Sequence, residues 1–239
     1  MKLLNLIIYS TNIPEYEEMY KIQTEYLKKN CIEHYFIIFS KNINEMFGEN
    51  SDIVIYDNII YIKGSETFIP GILRKTISAI EIFKDRTDFD YIVRSNISEI
   101  VNFDLLNRKL SEFNLDYGGA KYKKLTWLDP RAGIFDWSYY NRKFIQGNAI
   151  IISNNFKNII IENKKKINFN IIDDVAFGLF YEDLKHKYNL KDVITFEERI
   201  NANSYEEDVV FYRNKHEDRK TDVINMKKIC DEILKMKKN

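Results

Sequence analysis

Over its first hundred residues the chain alternates short, continuous apolar runs with segments whose apolar residues recur at helical spacing, and few folds accept that alternation. Residues 3–9 form one such run and read as a buried strand. Ser10-Thr11-Asn12 ends it, and Pro14 with Glu15, Glu17 and Glu18 suits the positive start of a helix reaching about Lys29. Residues 35–39 and 53–56 read as strands, and 59–62 either extends the latter or pairs nearby. A long helix is expected over about 68–84, with Ile72, Ile77, Ile80 and Phe83 on its buried face. Residues 91–94 read as a fourth strand. Strand–helix alternation of this kind implies βαβ units and a mostly parallel central sheet flanked by helices.

The second half is more irregular. Residues 116–122 and 144–153 read as strands. Between them lies a polar, aromatic connection, 123–142, with Trp127, Trp137, Tyr139 and Tyr140. A connection this long is usually functional. Helices are expected over 156–161, 175–190 and 222–237, the last with Val223, Met226, Cys230 and Ile233 on one face. No repeat or low-complexity linker divides the 239 residues, so the reading is one Rossmann-like α/β domain over 1–239.

Composition excludes several function classes. Thirty-six basic and 36 acidic side chains cancel, which argues against nucleic acid as a partner. Cys31 and Cys230 make neither a metal-binding spacing nor a disulfide framework. No stretch approaches the roughly 18 apolar residues of a membrane span, and the N-terminal run lacks a signal peptide's length and cleavage site. The expected location is cytoplasmic.

Open parallel sheets bind ligands at the carboxyl ends of their strands. Ser10, Thr11 and Asn12 follow the first strand, small polar groups suited to a base or ribose. Arg94-Ser95-Asn96-Ile97-Ser98-Glu99 follows the fourth. There is no Gly-rich phosphate loop and no dinucleotide fingerprint, so phosphate would be held by side chains. Arg74 and Lys75 are candidates, as are Arg213, Lys215, His216 and Arg219, each with a solvated surface charge as its plainer alternative. Asp173-Asp174 is the sharpest carboxylate pair. It reads either as a helix cap or as a general base held ionised at the positive end of a helix.

Four segments in order then resemble a GT-A-fold glycosyltransferase, most closely the inverting β-1,3-galactosyltransferase-like group and small glycosyltransferases of large DNA viruses. Gly71-Ile72-Leu73-Arg74-Lys75-Thr76 resembles the helix whose Lys-Thr precedes the central strand. Residues 89–98 followed by Phe103-Asp104-Leu105-Leu106 resemble the strand and Asp-x-Asp segment. Residues 144–153, with Gly147 and Ser153, resemble the acceptor-side segment. Asp173-Asp174-Val175-Ala176-Phe177-Gly178 resembles the acidic Asp-Val-x-x-Gly motif. The resemblance implies a GT-A-like domain with a nucleotide-binding half over about 1–100 and an acceptor half over about 101–239. It implies transfer of a sugar from a nucleoside-diphosphate-sugar, a UDP-sugar favoured, to a glycan hydroxyl with inversion.

On this resemblance Asp174 is the general base, with Asp173 the substitute. Ser10, Thr11, Lys75, Arg94, Asn96 and Lys215 face the donor. Trp127, Arg131, Trp137 and Gly147 face the acceptor, where the aromatics either stack on sugar rings or simply pack together. The Asp-x-Asp itself is missing, since its place reads Arg94-Ser95-Asn96 and no carboxylate follows until Glu99. A Mn²⁺ or Mg²⁺ ion would therefore be weakly held, with Asn96, Ser98 and His216 as its protein ligands, or Arg and Lys would replace its charge. No organic cofactor is implied. The rival reading is a non-catalytic module on the same scaffold that binds a nucleotide-sugar or glycan.

Overall fold

The computed structural model describes residues 1–48 and 51–237. Strand β1 (Leu3–Ile8) is buried on both sides. Leu4 and Leu6 enter one hydrophobic core while Leu3 and Ile7 enter another. That period-2 division organises the molecule: one sheet separates two apolar layers, each covered by helices.

The first half supplies β1, β2 (Glu33–Ser40), β3 (Ile53–Tyr56), β4 (Ile59–Lys63), β5 (Tyr91–Asn96) and β6 (Glu99–Val101), with α1 (Glu15–Lys29), α2 (Ile43–Phe47) and α3 (Gly71–Ile82) between them. The second half supplies α4 (Phe103–Glu112), β7 (Tyr117–Gly119), β8 (Tyr122–Lys124), β9 (Lys143–Ile145), β10 (Ala149–Ser153), α5 (Asn154–Asn163), α6 (Asp173–Tyr188), β11 (Ile194–Thr195), β12 (Glu198–Ile200), β13 (Phe211–Arg213) and α7 (Arg219–Met236). The central sheet runs β11-β7-β10-β5-β1-β2-β4-β3. Its middle, β5-β1-β2-β4, is parallel, whereas β10 lies antiparallel to β5 and β3 antiparallel to β4. One face is packed by α3, α5 and α6 and the other by α1, α4 and α7. The fold is thus mixed α/β with a mostly parallel central sheet. Among the described residues no helix is long and apolar enough to cross a membrane.

Local sequence explains most of the elements. Asn102 caps α4 by accepting from the Leu105 N–H at 3.2 Å, and Ser153 caps α5 by accepting from the Phe156 N–H at 3.0 Å. Helix α1 buries Met19, Gln23, Tyr26 and Leu27 on one stripe. Its Gln23 donates to the carbonyls of Ile97 and Glu99, and Tyr26 to that of Val101, fastening the segment after β5.

The expected strands over 116–122 and 144–153 are each divided. Gly119 has φ of +155°, and a β-carbon there would meet the Ala149 carbonyl oxygen at 2.2 Å. The chain turns at that point, and β8 leaves to pair with β9 in a separate ribbon. Gln146-Gly147-Asn148 makes the matching break between β9 and β10. The expected helix over 68–84 starts later, at Gly71 after Pro70. The 123–142 connection carries two short 3-10 turns, Pro130–Ala132 and Trp137–Tyr139.

Candidate functional site

Two adjoining cavities open beside the carboxyl ends of β1 and β5. The first, about 300 Å³, extends from Arg94 and Asn96 to Trp127, Gly147 and the Asp173-Asp174 pair. The second, about 380 Å³, runs from Ser10 past Lys75 and Ser98 to Arg213 and Lys215. Phe68, Ile72, Asn96 and Arg213 line both, so the two share a wall. This is the edge at which an open α/β sheet holds its ligands.

Helix α6 carries the two carboxylates to that edge, and glycines set its position. A β-carbon on Gly178 would lie 2.4 Å from Phe144 Cβ and 2.5 Å from the Lys143 carbonyl oxygen, so glycine lets the helix lie directly on β9. A β-carbon on Gly147 would stand 3.0 Å from Asp174 Cβ. Ile172 occupies the N-cap, and both aspartates are the first helical residues rather than caps.

A closed ring of contacts fixes them. Arg94, 1% exposed, donates through Nη2 to Asp173 Oδ2 at 2.6 Å and through Nη1 to the Gly147 carbonyl. The Gly147 N–H donates to Asp174 Oδ2 at 3.1 Å, and the Val175 N–H to Asp174 Oδ1 at 2.8 Å. Asp173 is therefore neutralised by Arg94. Burial raises its carboxyl while Arg94 opposes the rise. Asp174 has no ion pair with a described residue and is only half-buried, against the first cavity. Its carboxyl is raised to about 6, by burial first and by the Asp173 charge second.

The expected diphosphate cations divide into two groups. Arg94 lines the first cavity, but its two Nη atoms donate to Gly147 and Asp173, while its Nε is buried without a partner. Lys75, also 1% exposed, donates to the Tyr9 carbonyl at 2.6 Å and pairs with Glu66 at 2.5 Å, and burial lowers its pKa. Arg213 and Lys215 line the second cavity without an ion pair to a described residue. Arg219 lines it too, while pairing with Asp222 at 2.7 Å.

Ser10, Asn96 and Ser98 line the second cavity, whereas Thr11 is exposed and lines neither. Trp127 and Gly147 line the first; Arg131 and Trp137 line neither. Trp137 instead stands edge-on to Tyr140, ring centroids 5.4 Å apart. His216 binds Asp222 through Nδ1 at 2.6 Å, outside both cavities, so it is not brought together with Asn96 and Ser98.

The expected metal position therefore holds neutral oxygens only. Glu99 is buried to 1% exposure, where Asn148 Nδ2 donates to it at 3.0 Å, and burial pushes its carboxyl up to about 8. Its Oε1 is buried with no partner. Among the described residues no group of three or more His, Cys, Asp or Glu could hold a metal ion. A divalent cation takes hard oxygens, carboxylates foremost, and these residues do not fit a resident one. Lys123, Asp129, Gln146 and Asn148 also line the first cavity and Glu66 the second. Lys123, Asp129 and Glu66 lie outside every motif, whereas Gln146 and Asn148 flank Gly147 in the segment that resembles the acceptor side.

No family model and no curated protein matches the chain by sequence. Solved structures do resemble it. The inositol-1-phosphate CTP transferase from T. maritima is 9% identical over 95% of this chain and 97% of its own, with a TM-score of 0.50. A glycosyltransferase involved in the glycosylation of the major capsid of PBCV-1 is 10% identical over 95% and 98%, with a TM-score of 0.48. The galactosyltransferase LgtC, solved with donor and acceptor sugar analogs, is 11% identical over 98% and 95%, with a TM-score of 0.46. The match to the T. maritima enzyme shows a shared fold, the mixed α/β domain described above.

Proposed function

We propose that the chain is a glycosyltransferase that moves a sugar from a nucleoside-diphosphate-sugar to a glycan hydroxyl with inversion. A UDP-sugar is the favoured donor. The observation that carries this reading is Asp174: a carboxylate without a paired cation, raised to about 6, on the wall of one cavity that adjoins a second, basic one. The acceptor hydroxyl sits in the first cavity and gives its proton to Asp174 as its oxygen attacks the anomeric carbon. The bond from that carbon to the diphosphate breaks, and the leaving group takes the electron pair. Arg213, Lys215 and Arg219 stabilise the developing charge, while Ser10 and Asn96 face the nucleoside. Trp127 offers a stacking face to the acceptor. Arg94 and Asp173 hold Asp174 rather than touch substrate.

No step passes through a metal ion, because the neutral oxygens of Asn96 and Ser98 do not fit one. A non-catalytic binding module is the second reading. It draws support from Arg94 and Lys75, which already have partners. Incubation with a panel of nucleotide-sugars separates the two. Slow hydrolysis of one donor, accelerated by its acceptor, supports the transferase. Binding without turnover, acceptors included, supports the module and overturns the first reading.

A further inference from the structure

A third and larger cavity, about 800 Å³, lies at the same edge of the sheet and belongs to neither of the two just described. Its floor is the carboxyl end of β2 at Phe39 and of β4 at Ile62, Lys63 and Gly64. One side of α3 forms a wall, with Gly71, Arg74, Ser78 and Glu81 at successive turns. The opposite wall is the turn after α5, with Lys164, Lys165 and Phe169. Thr67 lines both this cavity and the donor cavity, so the 64–67 segment is the partition between them.

The chemistry of the lining is uneven. Four cations, Lys63, Arg74, Lys164 and Lys165, face one carboxylate, Glu81. Lys164 is paired with Glu81, and Lys63 with Asp52 at 3.3 Å outside the cavity. Arg74 and Lys165 are exposed and pair with no described acid. Two aromatic rings, Phe39 and Phe169, stand half-buried among three hydroxyls, Ser65, Thr67 and Ser78. Small-molecule sites combine apolar and aromatic walls with a few convergent polar groups, and the volume lies within their usual range. An arginine fork suits a carboxylate or a phosphate. Aromatic faces and hydroxyls together suit the apolar face and hydroxyl edge of a sugar ring.

We propose that this cavity binds an anionic saccharide, a sugar carrying a carboxylate or a phosphate, with Arg74 and Lys165 holding the anion and Phe39 and Phe169 packing on the ring. The site is independent of Asp174 and of the donor cavity.

Calorimetric titration of the full chain tests it. The probes are a hyaluronan-derived tetrasaccharide for the carboxylate, glucose 6-phosphate for the phosphate, and cellotetraose as the neutral control. Binding of either acidic probe, with cellotetraose silent, is the expected result, and the probe that binds names the anion. Arg74→Glu and Lys165→Glu should each weaken that binding about tenfold or more, as loss of a charge-assisted bond requires. Both side chains are exposed, so the melting temperature of each variant should stay at the wild-type value. Saturating UDP should leave the affinity unchanged. The proposal is overturned if neither acidic probe binds, if cellotetraose binds equally, if both variants bind as wild type, or if UDP displaces the probe. Nucleotide-sugar hydrolysis that depends on Asp174 is unaffected by any of these results, so failure here leaves the transferase reading to its own test.

Discussion

Asp174 at the cavity wall and Glu99 in the interior are shifted by different surroundings. Asp174 sits half-buried beside Asp173 and is raised to about 6, so it is mostly ionised at neutral pH and still basic enough to take a proton. Asp174→Asn should lower turnover by about 10²–10⁴-fold and leave donor affinity unchanged, as read by single-turnover kinetics beside calorimetry. The wild-type rate should climb as pH rises through about 6 and then level off. A flat profile from pH 5 to 8 would remove Asp174 from the chemistry. Glu99 is the opposite case, fully enclosed and raised to about 8, with its Oε1 lacking a partner. The folded chain binds that proton more tightly than the unfolded chain does. The stability from it is complete below the unfolded value near 4.5 and is lost as pH rises through about 8. Glu99→Gln keeps the shape without the proton. Its urea-unfolding free energy should therefore fall less than that of wild type between pH 5 and 8. Parallel curves would mean that Glu99 is charged in the folded chain.

At the scale of the element, the site depends on how closely α6 approaches β9. Alanine is a better helix former than glycine by about 1 kcal/mol, so Gly178→Ala on propensity alone would stabilise the helix. The contacts reverse the sign. A β-carbon at 2.4 Å from Phe144 Cβ and 2.5 Å from a backbone oxygen cannot be accommodated unless α6 moves off the ribbon. We expect a net loss of roughly 1–3 kcal/mol in urea unfolding, together with a fall in turnover as Asp174 moves from its cavity. The periodicities that fold these elements were legible in the sequence. The run at 3–9 and the helix ending at Lys29 can be read because burial imposes a local pattern of residues, whereas the Asp-Asp-Val-x-x-Gly segment is read through its resemblance to a family motif. Which partner each charge takes was not legible. Arg94 meets Asp173 across 79 residues and Lys75 meets Glu66 through a loop, so both read in the sequence as open diphosphate ligands. His216 reads as a metal ligand until α7 brings Asp222 beneath it. Strands β6, β12 and β13 were missed because three residues are too few to show a period.

For the whole molecule, zero net charge conceals an uneven distribution. The second cavity is assembled from four distant stretches, around Ser10, Thr67, Ser98 and Lys215, and its open cations come from the last of these. A ligand that spans the cavity therefore ties the N-terminal strands to the C-terminal segment, and stabilises only the folded chain. At one hundred times its dissociation constant such a ligand adds about 2.7 kcal/mol, which for a domain of this size raises Tm by roughly 5–10 °C. UDP should produce that shift, and uridine a clearly smaller one, because only the diphosphate engages Arg213 and Lys215. Lys215→Ala should narrow the gap between the UDP and uridine shifts, with Arg213 keeping part of it, since the Lys215 side chain is exposed and its loss leaves the fold intact. Excess EDTA should change none of these values, because Asn96 and Ser98 supply no charge to hold a divalent ion. A UDP shift that disappears in EDTA and returns with Mn²⁺ would instead mean that the diphosphate carries the ion in, and that the basic residues act on the complex rather than on the bare leaving group.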